Sequence, residues 1–179
     1  CLGLLNDILS FSSIENLQLS LKKSYFDLIE LVKNQVELCH YPASQKGIQI
    51  KKTLPANLFA HFDPPRIEQV ISNLLSNAIK YSHKDSEVEI RCEIGSAIPG
   101  EFLISVRDNG VGISPEEQSE LFKPFKCLSS KPTAGERSTG LGLAISKQII
   151  DNSKGKIWFE SEVGIGTKFY VTLPSVIPS

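Results

Sequence analysis

The stretch "DPPRIEQVISNLLSNAIKYS", residues 63–82, constrains the fold more than any other part of the chain. At about 100° per residue it reads as one long helix with two unlike faces. Asp63 suits the cap, and Pro64 and Pro65 suit the first turn, where a missing N–H does no harm. Ile67, Val70, Ile71, Leu74, Leu75 and Ala78 share one face, which other elements must cover. Opposite them run Arg66, Gln69, Asn73, Asn77 and Lys80, with Tyr81 at the border and no carboxylate in the stripe. Asparagine is a mediocre helix former, because its amide competes for nearby backbone groups. The stripe therefore reads either as a solvated face or as the wall of a site.

The elements around this helix do not alternate regularly. "LQLSLKKSYF", residues 17–26, suits a short strand, and Asp27 can cap a helix through about residue 45. That helix has Leu28, Leu31, Val32 and Val36 as its buried stripe, with Pro42 disturbing its end. "IQIKKTL" reads as another strand, followed by a turn at Pro55 and Asn57. "EVEIRCEIG" and "EFLISVRDN" read as strands joined by a Pro-Gly turn. Ser114 with Glu117 forms a capping box for a short helix to about Leu121. Residues 126–139 lack apolar periodicity and read as a loop, and Leu141 to Asn152 reads as a helix. "GKIWFESE" and "GTKFYVTLP" close the chain as an antiparallel pair. The expected class is α+β, a mixed and mostly antiparallel sheet with helices on one face, rather than a doubly wound fold. Ahead of all this, Leu2, Leu5, Ile8, Leu9 and Ile14 have near-helical spacing, in a short one-sided helix that needs a partner.

Composition narrows the function classes. Nineteen basic residues balance 20 acidic ones, for a net charge of −1, and no basic block marks a nucleic-acid or anionic-membrane surface. No apolar run is long enough to span a bilayer, and no signal-peptide pattern opens the chain. Cys1, Cys39, Cys92 and Cys127 are scattered without a Cys-x-x-Cys pair, which argues for a reducing cytosolic setting over a zinc site or disulfide framework. The chain starts at Cys1 and holds no methionine, so it is expected to be a piece of a longer protein.

Asparagine carbonyls are neutral oxygen ligands suited to magnesium, which shares phosphate oxygens and keeps waters. With Lys80 available to neutralise phosphates, the polar stripe makes sense as one wall of a metal–phosphate site. "VRDNGVGIS", residues 106–114, could be a hairpin, but a capping box follows too soon for a return strand. Its glycines would instead let the backbone pass close to a ligand, with Asp108 at the strand end able to accept from an exocyclic amine. In "STGLGLAIS", residues 138–146, Gly140 and Gly142 precede a helix whose first N–H groups favour phosphate. Neither a dinucleotide fingerprint nor a Walker-type lysine is present. Phe122 and Phe125 in "LFKPF" read as core plugs that can anchor the loop.

In this order and spacing, Asn73/Asn77, "DNGVGI", "FKPF" and "GLGLAI" resemble the N, G1, F and G2 boxes of sensor histidine kinases. Those belong to the superfamily that also holds gyrase, heat-shock chaperone and mismatch-repair ATPases. The resemblance covers about residues 20 to 174 and implies a Bergerat-type α/β sandwich that binds ATP with magnesium. It implies Asn77 as the magnesium ligand, Asp108 as the holder of the adenine amine, and Asn73 and Lys80 as phosphate contacts. Tyr81 would lie by the nucleotide, Gly110 and Gly112 would shape the base pocket, Ile113 would be among the nucleotide-binding residues, and Gly140, Leu141 and Gly142 would meet phosphates. Residues 1–19 resemble the second helix of the family's dimerisation and phosphotransfer hairpin, with 20–179 as the catalytic domain.

None of His40, His61 and His83 sits in the His-Glu/Asp setting of the family's acceptor, which lies on a helix before the one opening this chain. The implied reaction is donation of the ATP γ-phosphoryl group to a histidine on another helix, of the same or a partner subunit, then to a receiver-domain aspartate. A cytosolic location, a homodimeric parent and no nucleic-acid partner complete the expectation. Cys127 stands near where an arginine often meets the terminal phosphate, and Ser138 replaces a common glycine; Lys126, Lys131 or Arg137 could supply the charge. The rival readings are a superfamily ATPase, in which a glutamate takes the place of Asn73, and a non-catalytic adaptor.

Overall fold

A computed structural model describes residues 21–95, 101–126, 132, 133 and 139–174. The expected helix in residues 1–19, the domain boundary beside it and the Pro-Gly turn at 99–100 lie outside the described residues. In chain order the elements are β1 (Ser24–Asp27), α1 (Leu28–Gln45), β2 (Gln49–Thr53), β3 (Phe59–Phe62), α2 (Pro64–Tyr81) and β4 (Glu87–Ile94). After them come β5 (Glu101–Arg107), α3 (Pro115–Gln118), α4 (Gly142–Asn152), β6 (Lys156–Glu162) and β7 (Gly166–Pro174).

Local chemistry sets most boundaries. Asp27 caps α1 as expected, accepting the Ile29 N–H at 2.9 Å, and Asp63 caps α2 by accepting from Arg66 at 3.4 Å. Two expectations need correction. The first strand is β1 from Ser24, with residues 21–23 outside it, because its partner β3 supplies only the four positions from Phe59 to Phe62 before the prolines open α2; residues 17–20 of the expected strand lie outside the described residues. Lys22, ahead of the strand, donates its N–H to Asp63 Oδ2 at 2.9 Å. The short helix α3 stops at Gln118, not Leu121, and its capping box is not formed: the Ser114 hydroxyl lies 3.0 Å from the Glu117 carboxylate and caps no backbone N–H. Pro42 is carried inside the last turn of α1, which runs three residues further to Gln45.

A five-stranded sheet has the order β2-β4-β5-β7-β6, with β2 parallel to β4 and the other pairs antiparallel. β1 and β3 form a separate antiparallel ladder. Period-two alternation turns Val88, Ile90 and Cys92 of β4, Phe102, Ile104 and Val106 of β5, and Phe169, Val171 and Leu173 of β7 to one buried face. Register stacks them in rows, Ile90 beside Val106 beside Phe169. Helix α2 packs between α1 and α4 over this face. Its Ile67, Ile71, Leu74 and Leu75 are buried, and truncating Leu74 to alanine would cost about 2–5 kcal/mol. Gln35 of α1 donates to Glu68 of α2 at 2.7 Å, which fixes how the two helices are rotated. The opposite sheet face carries Arg91 with Glu89 at 3.0 Å, and Trp158 stacked on Tyr170 at 5.1 Å. The α+β class read from the sequence is the class found.

Candidate functional site

Since the core takes up the apolar face of α2, its amide face lies along the start of α4 and the turn after β5. Asn73 Nδ2 donates to the Gly142 carbonyl at 3.1 Å and to Ser146 Oγ at 3.3 Å. A carbonyl can only accept, so the amide orientation is settled and Asn73 Oδ1 is left as an acceptor. One turn on, Asn77 is half-buried, and its carboxamide has no protein partner among the described residues. The Lys80 ammonium also has none there. Helix α4 starts without a side-chain cap on its first N–H groups, an arrangement that favours an anion. Gly140, at φ +69°, passes so close to the chain at Phe125 and Lys126 that a Cβ would stand 2.9 Å from the Lys126 carbonyl oxygen. Only glycine closes the base of the loop in that way.

The other end is built differently. Asp108 is 4% exposed at the end of β5. Its Oδ1 accepts the Gly110 N–H at 3.0 Å and the Thr167 N–H at 3.1 Å. Oδ2 has no partner among the described residues, so one oxygen is held and the other can receive a donor. Burial pushes the carboxyl up to about 6, against the opposing pull of the Thr167 and Gly110 N–H groups and the Arg107 charge.

The two ends meet at the C-terminus of α2. Ser82 forms a bridge with Gly110, Val111 donates its N–H to the Tyr81 carbonyl at 3.3 Å, and a Cβ on Gly110 would lie 2.1 Å from that carbonyl oxygen. Asp108, Gly110 and Tyr81 are thus brought together, as are Asn73 and Gly142. Gly112 is placed elsewhere, against the Glu162 carbonyl. Ile113 and Leu141 belong to the core, so only their backbones can face a ligand; the Ile113 N–H goes to Ser161 Oγ at 2.9 Å. Phe122 packs on Phe159 at 5.9 Å, as a plug should, whereas Phe125 is 62% exposed. Lys126 lies 3.5 Å from Glu120, and Cys127, Lys131, Arg137 and Ser138 are outside the described residues.

Sequence reading missed three contributors. Thr167 pins Asp108 through its backbone N–H, and only the β5–β7 register reveals that. Lys46 reaches from the end of α1 to the Ile79 and Lys80 carbonyls at 2.8 and 2.9 Å. Thr133 donates its N–H to Lys80 O at 3.0 Å. Lysine before a glycine at a helix end carries no distinguishing signal in the sequence. Among the described residues no cluster of three His, Cys, Asp or Glu could hold a metal. A divalent ion would therefore depend on the unpaired Asn77 oxygen and on phosphates of the ligand, a donor set that fits magnesium.

The profile of the family described as "Histidine kinase-, DNA gyrase B-, and HSP90-like ATPase" matches residues 62–177. The chain is 36% identical over 179 residues to the sensor protein EvgS of Escherichia coli, covering 97% of this chain and 14% of that protein. It is 32% identical over 174 residues to the sensor protein kinase WalK of Staphylococcus epidermidis, covering 97% of this chain and 28% of the relative. The chain thus spans well under a third of these curated relatives. Among solved structures, full-length ShkA in complex with AMPPNP superposes with a TM-score of 0.84 at 26% identity, over 99% of this chain and 36% of that one. The nucleotide-free catalytic domain of the histidine kinase ThkA gives 0.73 at 29% identity, over 86% of this chain and 96% of that one.

Proposed function

The chain belongs to the histidine kinase-, DNA gyrase B- and HSP90-like ATPase family, as a catalytic domain of the sensor histidine kinase type, and on that premise we propose that it transfers the γ-phosphoryl group of ATP to a histidine. The observation that carries this reading is Asp108, a buried carboxylate with one oxygen held by two backbone N–H groups and the other unpaired. It stands across one short junction from the unpaired carboxamide of Asn77.

In this reading Asp108 Oδ2 accepts the adenine amine, and Tyr81 and Gly110 flank the base. Lys80 and the open start of α4 hold phosphates, with the backbones of Gly140, Leu141 and Gly142 alongside; Asn73, whose amide protons go to Gly142 and Ser146, positions the start of α4 and offers only Oδ1, an acceptor suited to a metal-bound water. Gly112 and Ile113, set against Glu162 and Ser161, back the base end from behind. Asn77 would hold magnesium, which would supply charge neutralisation at the phosphates. The acceptor imidazole nitrogen attacks the γ-phosphorus, the bond to the bridging oxygen breaks, and ADP departs. Catalysis here is positioning and charge neutralisation, without a covalent enzyme group. Asn73 has no basic carboxylate and its amide is committed to Gly142, so activation of water is poorly served and hydrolysis should be slow.

The acceptor is assigned to a helix of the same or a partner subunit in a homodimeric parent, with a receiver-domain aspartate next in line. No described helix is long and apolar enough to cross a membrane; we place this domain in the cytoplasm, where ATP is available, and assign it no nucleic-acid partner. Titration with a non-hydrolysable ATP analogue, with and without magnesium, tests the site, and γ-labelled ATP with an added histidine-bearing helix tests transfer. Tight binding with label on histidine is expected. Absence of binding would point to an adaptor, and rapid phosphate release without label on the helix to an ATPase.

A further inference from the structure

We propose that Lys46 and Thr133 are positioning residues for the nucleotide site, joined to each other and to the carbonyl end of α2. This rests on the nucleotide reading above and adds residues to it that touch no ligand.

Lys46 is 9% exposed, and its ammonium donates to the Ile79 and Lys80 carbonyls at 2.8 and 2.9 Å and to Thr133 Oγ1 at 2.6 Å. Three protons thus find three acceptors. Two of these are carbonyls of the last helical turn, which have no partner inside the helix and form its negative end. Thr133 completes the contact by donating its hydroxyl proton to Ser82 O at 2.6 Å and its N–H to Lys80 O at 3.0 Å. Replacing that hydroxyl with a methyl group would remove both the acceptor for Lys46 and the donor to Ser82.

The same turn carries the site. Lys80 and Tyr81 project from it, the Tyr81 carbonyl receives Val111, and Ser82 bridges Gly110, two residues beyond Asp108. Position 133, the end of the asparagine helix and the base end of the pocket therefore share one junction. A nucleotide engaging Lys80 and Asp108 should stabilise the Thr133 contact, and by linkage loss of that contact must weaken the nucleotide by the same factor. A purely structural clamp would alter stability without this reciprocity.

The test is hydrogen exchange at the amide of position 133 in the full chain, free and with a magnesium–ATP analogue, alongside analogue affinity. The variants are Thr133→Val, Thr133→Ser and Lys46→Met. Bound analogue should slow exchange at 133 in the parent by about fivefold or more. Thr133→Val and Lys46→Met should exchange faster when free, lose that slowing and bind about fivefold more weakly, while Thr133→Ser restores both. If Thr133→Val binds the analogue as tightly as the parent and keeps its slowing, the proposal is overturned, even where Lys46→Met fails to fold. If the parent binds no analogue, the nucleotide reading falls by itself, together with the coupling. In that event unchanged exchange in free Thr133→Val would overturn the clamp too, and faster exchange would support it.

Discussion

The two ends of the site are made in opposite ways. At the base end, Asp108 is buried just past the end of β5, held through Oδ1 by N–H groups of Gly110 and of Thr167 in β7. At the phosphate end, Asn77 and Lys80 are half-buried on a helix, and neither side chain has a protein partner among the described residues. A planar base with one amine demands a fixed acceptor, and backbone N–H groups in a sheet hold it without side-chain freedom. A hydrated ion and a triphosphate instead need groups that can adjust, and unpaired amides on a helix face allow that. In the proposed reading, the fold preorganises the base end, whereas the ligand completes the phosphate end.

Four changes probe that contrast. Asp108→Asn should have the largest effect. Its carbonyl oxygen can still accept from Gly110 and Thr167, so the fold survives, but an NH2 group then faces the adenine amine. ATP affinity should fall about 100-fold or more by calorimetry, near the upper worth of a hydrogen bond to a charged group. An unchanged affinity would move the base elsewhere. Asn77→Ala should weaken the analogue by about 10- to 30-fold with magnesium present and by less than about twofold in EDTA, in keeping with loss of one metal ligand. Equal losses in both would mean that Asn77 does not meet the ion.

Lowering pH separates the ends next, because the base end carries a carboxyl that burial raises toward neutrality. With Asp108 at about 6, protonation should weaken ATP about tenfold between pH 8 and pH 5 in the parent and not in Asp108→Asn. Stability moves the other way. The carboxyl holds its proton to about 6 when folded and to about 3.8 when unfolded, so between these values the native state binds more protons. The Asp108 contribution to stability is therefore greatest at low pH and declines as pH rises from about 4 to 6, by about 3 kcal/mol at most. Chemical denaturation across that range, comparing the parent with Asp108→Asn, would reveal the opposite slope if the assignment is wrong. The smallest effect is expected at Lys147, whose 2.6 Å pair with Asp151 lies exposed on α4, outside both ends. Lys147→Gln should change stability by about 0.5 kcal/mol or less and leave affinity alone; a tenfold affinity loss would extend the phosphate end along that helix.

Much of this was legible beforehand for physical reasons. The helix α2 announces itself because cap, prolines and a periodic apolar stripe agree, and its amide stripe stands out by violating that local economy. Gly110 and Gly140 are readable because close backbone approach tolerates no side chain. The described part of β1 and the end of α3 are not legible in the sequence, because a strand lasts only as long as its partner, and a short helix has too few bonds to resist its surroundings. Thr167, Lys46 and Thr133 gave no signal, since each works through a contact with a segment distant in the chain.

The amino-acid order by itself determined the layered class, the two-faced helix and the kinds of groups offered to a ligand, because periodicity and side-chain chemistry are local properties. Which oxygen of Asp108 is held, which way the Asn73 amide turns, and which lysine closes the end of α2 were decided only when distant segments met. A hydrogen bond has direction and a partner, and neither exists until strand register and helix packing bring the second atom within about 3 Å.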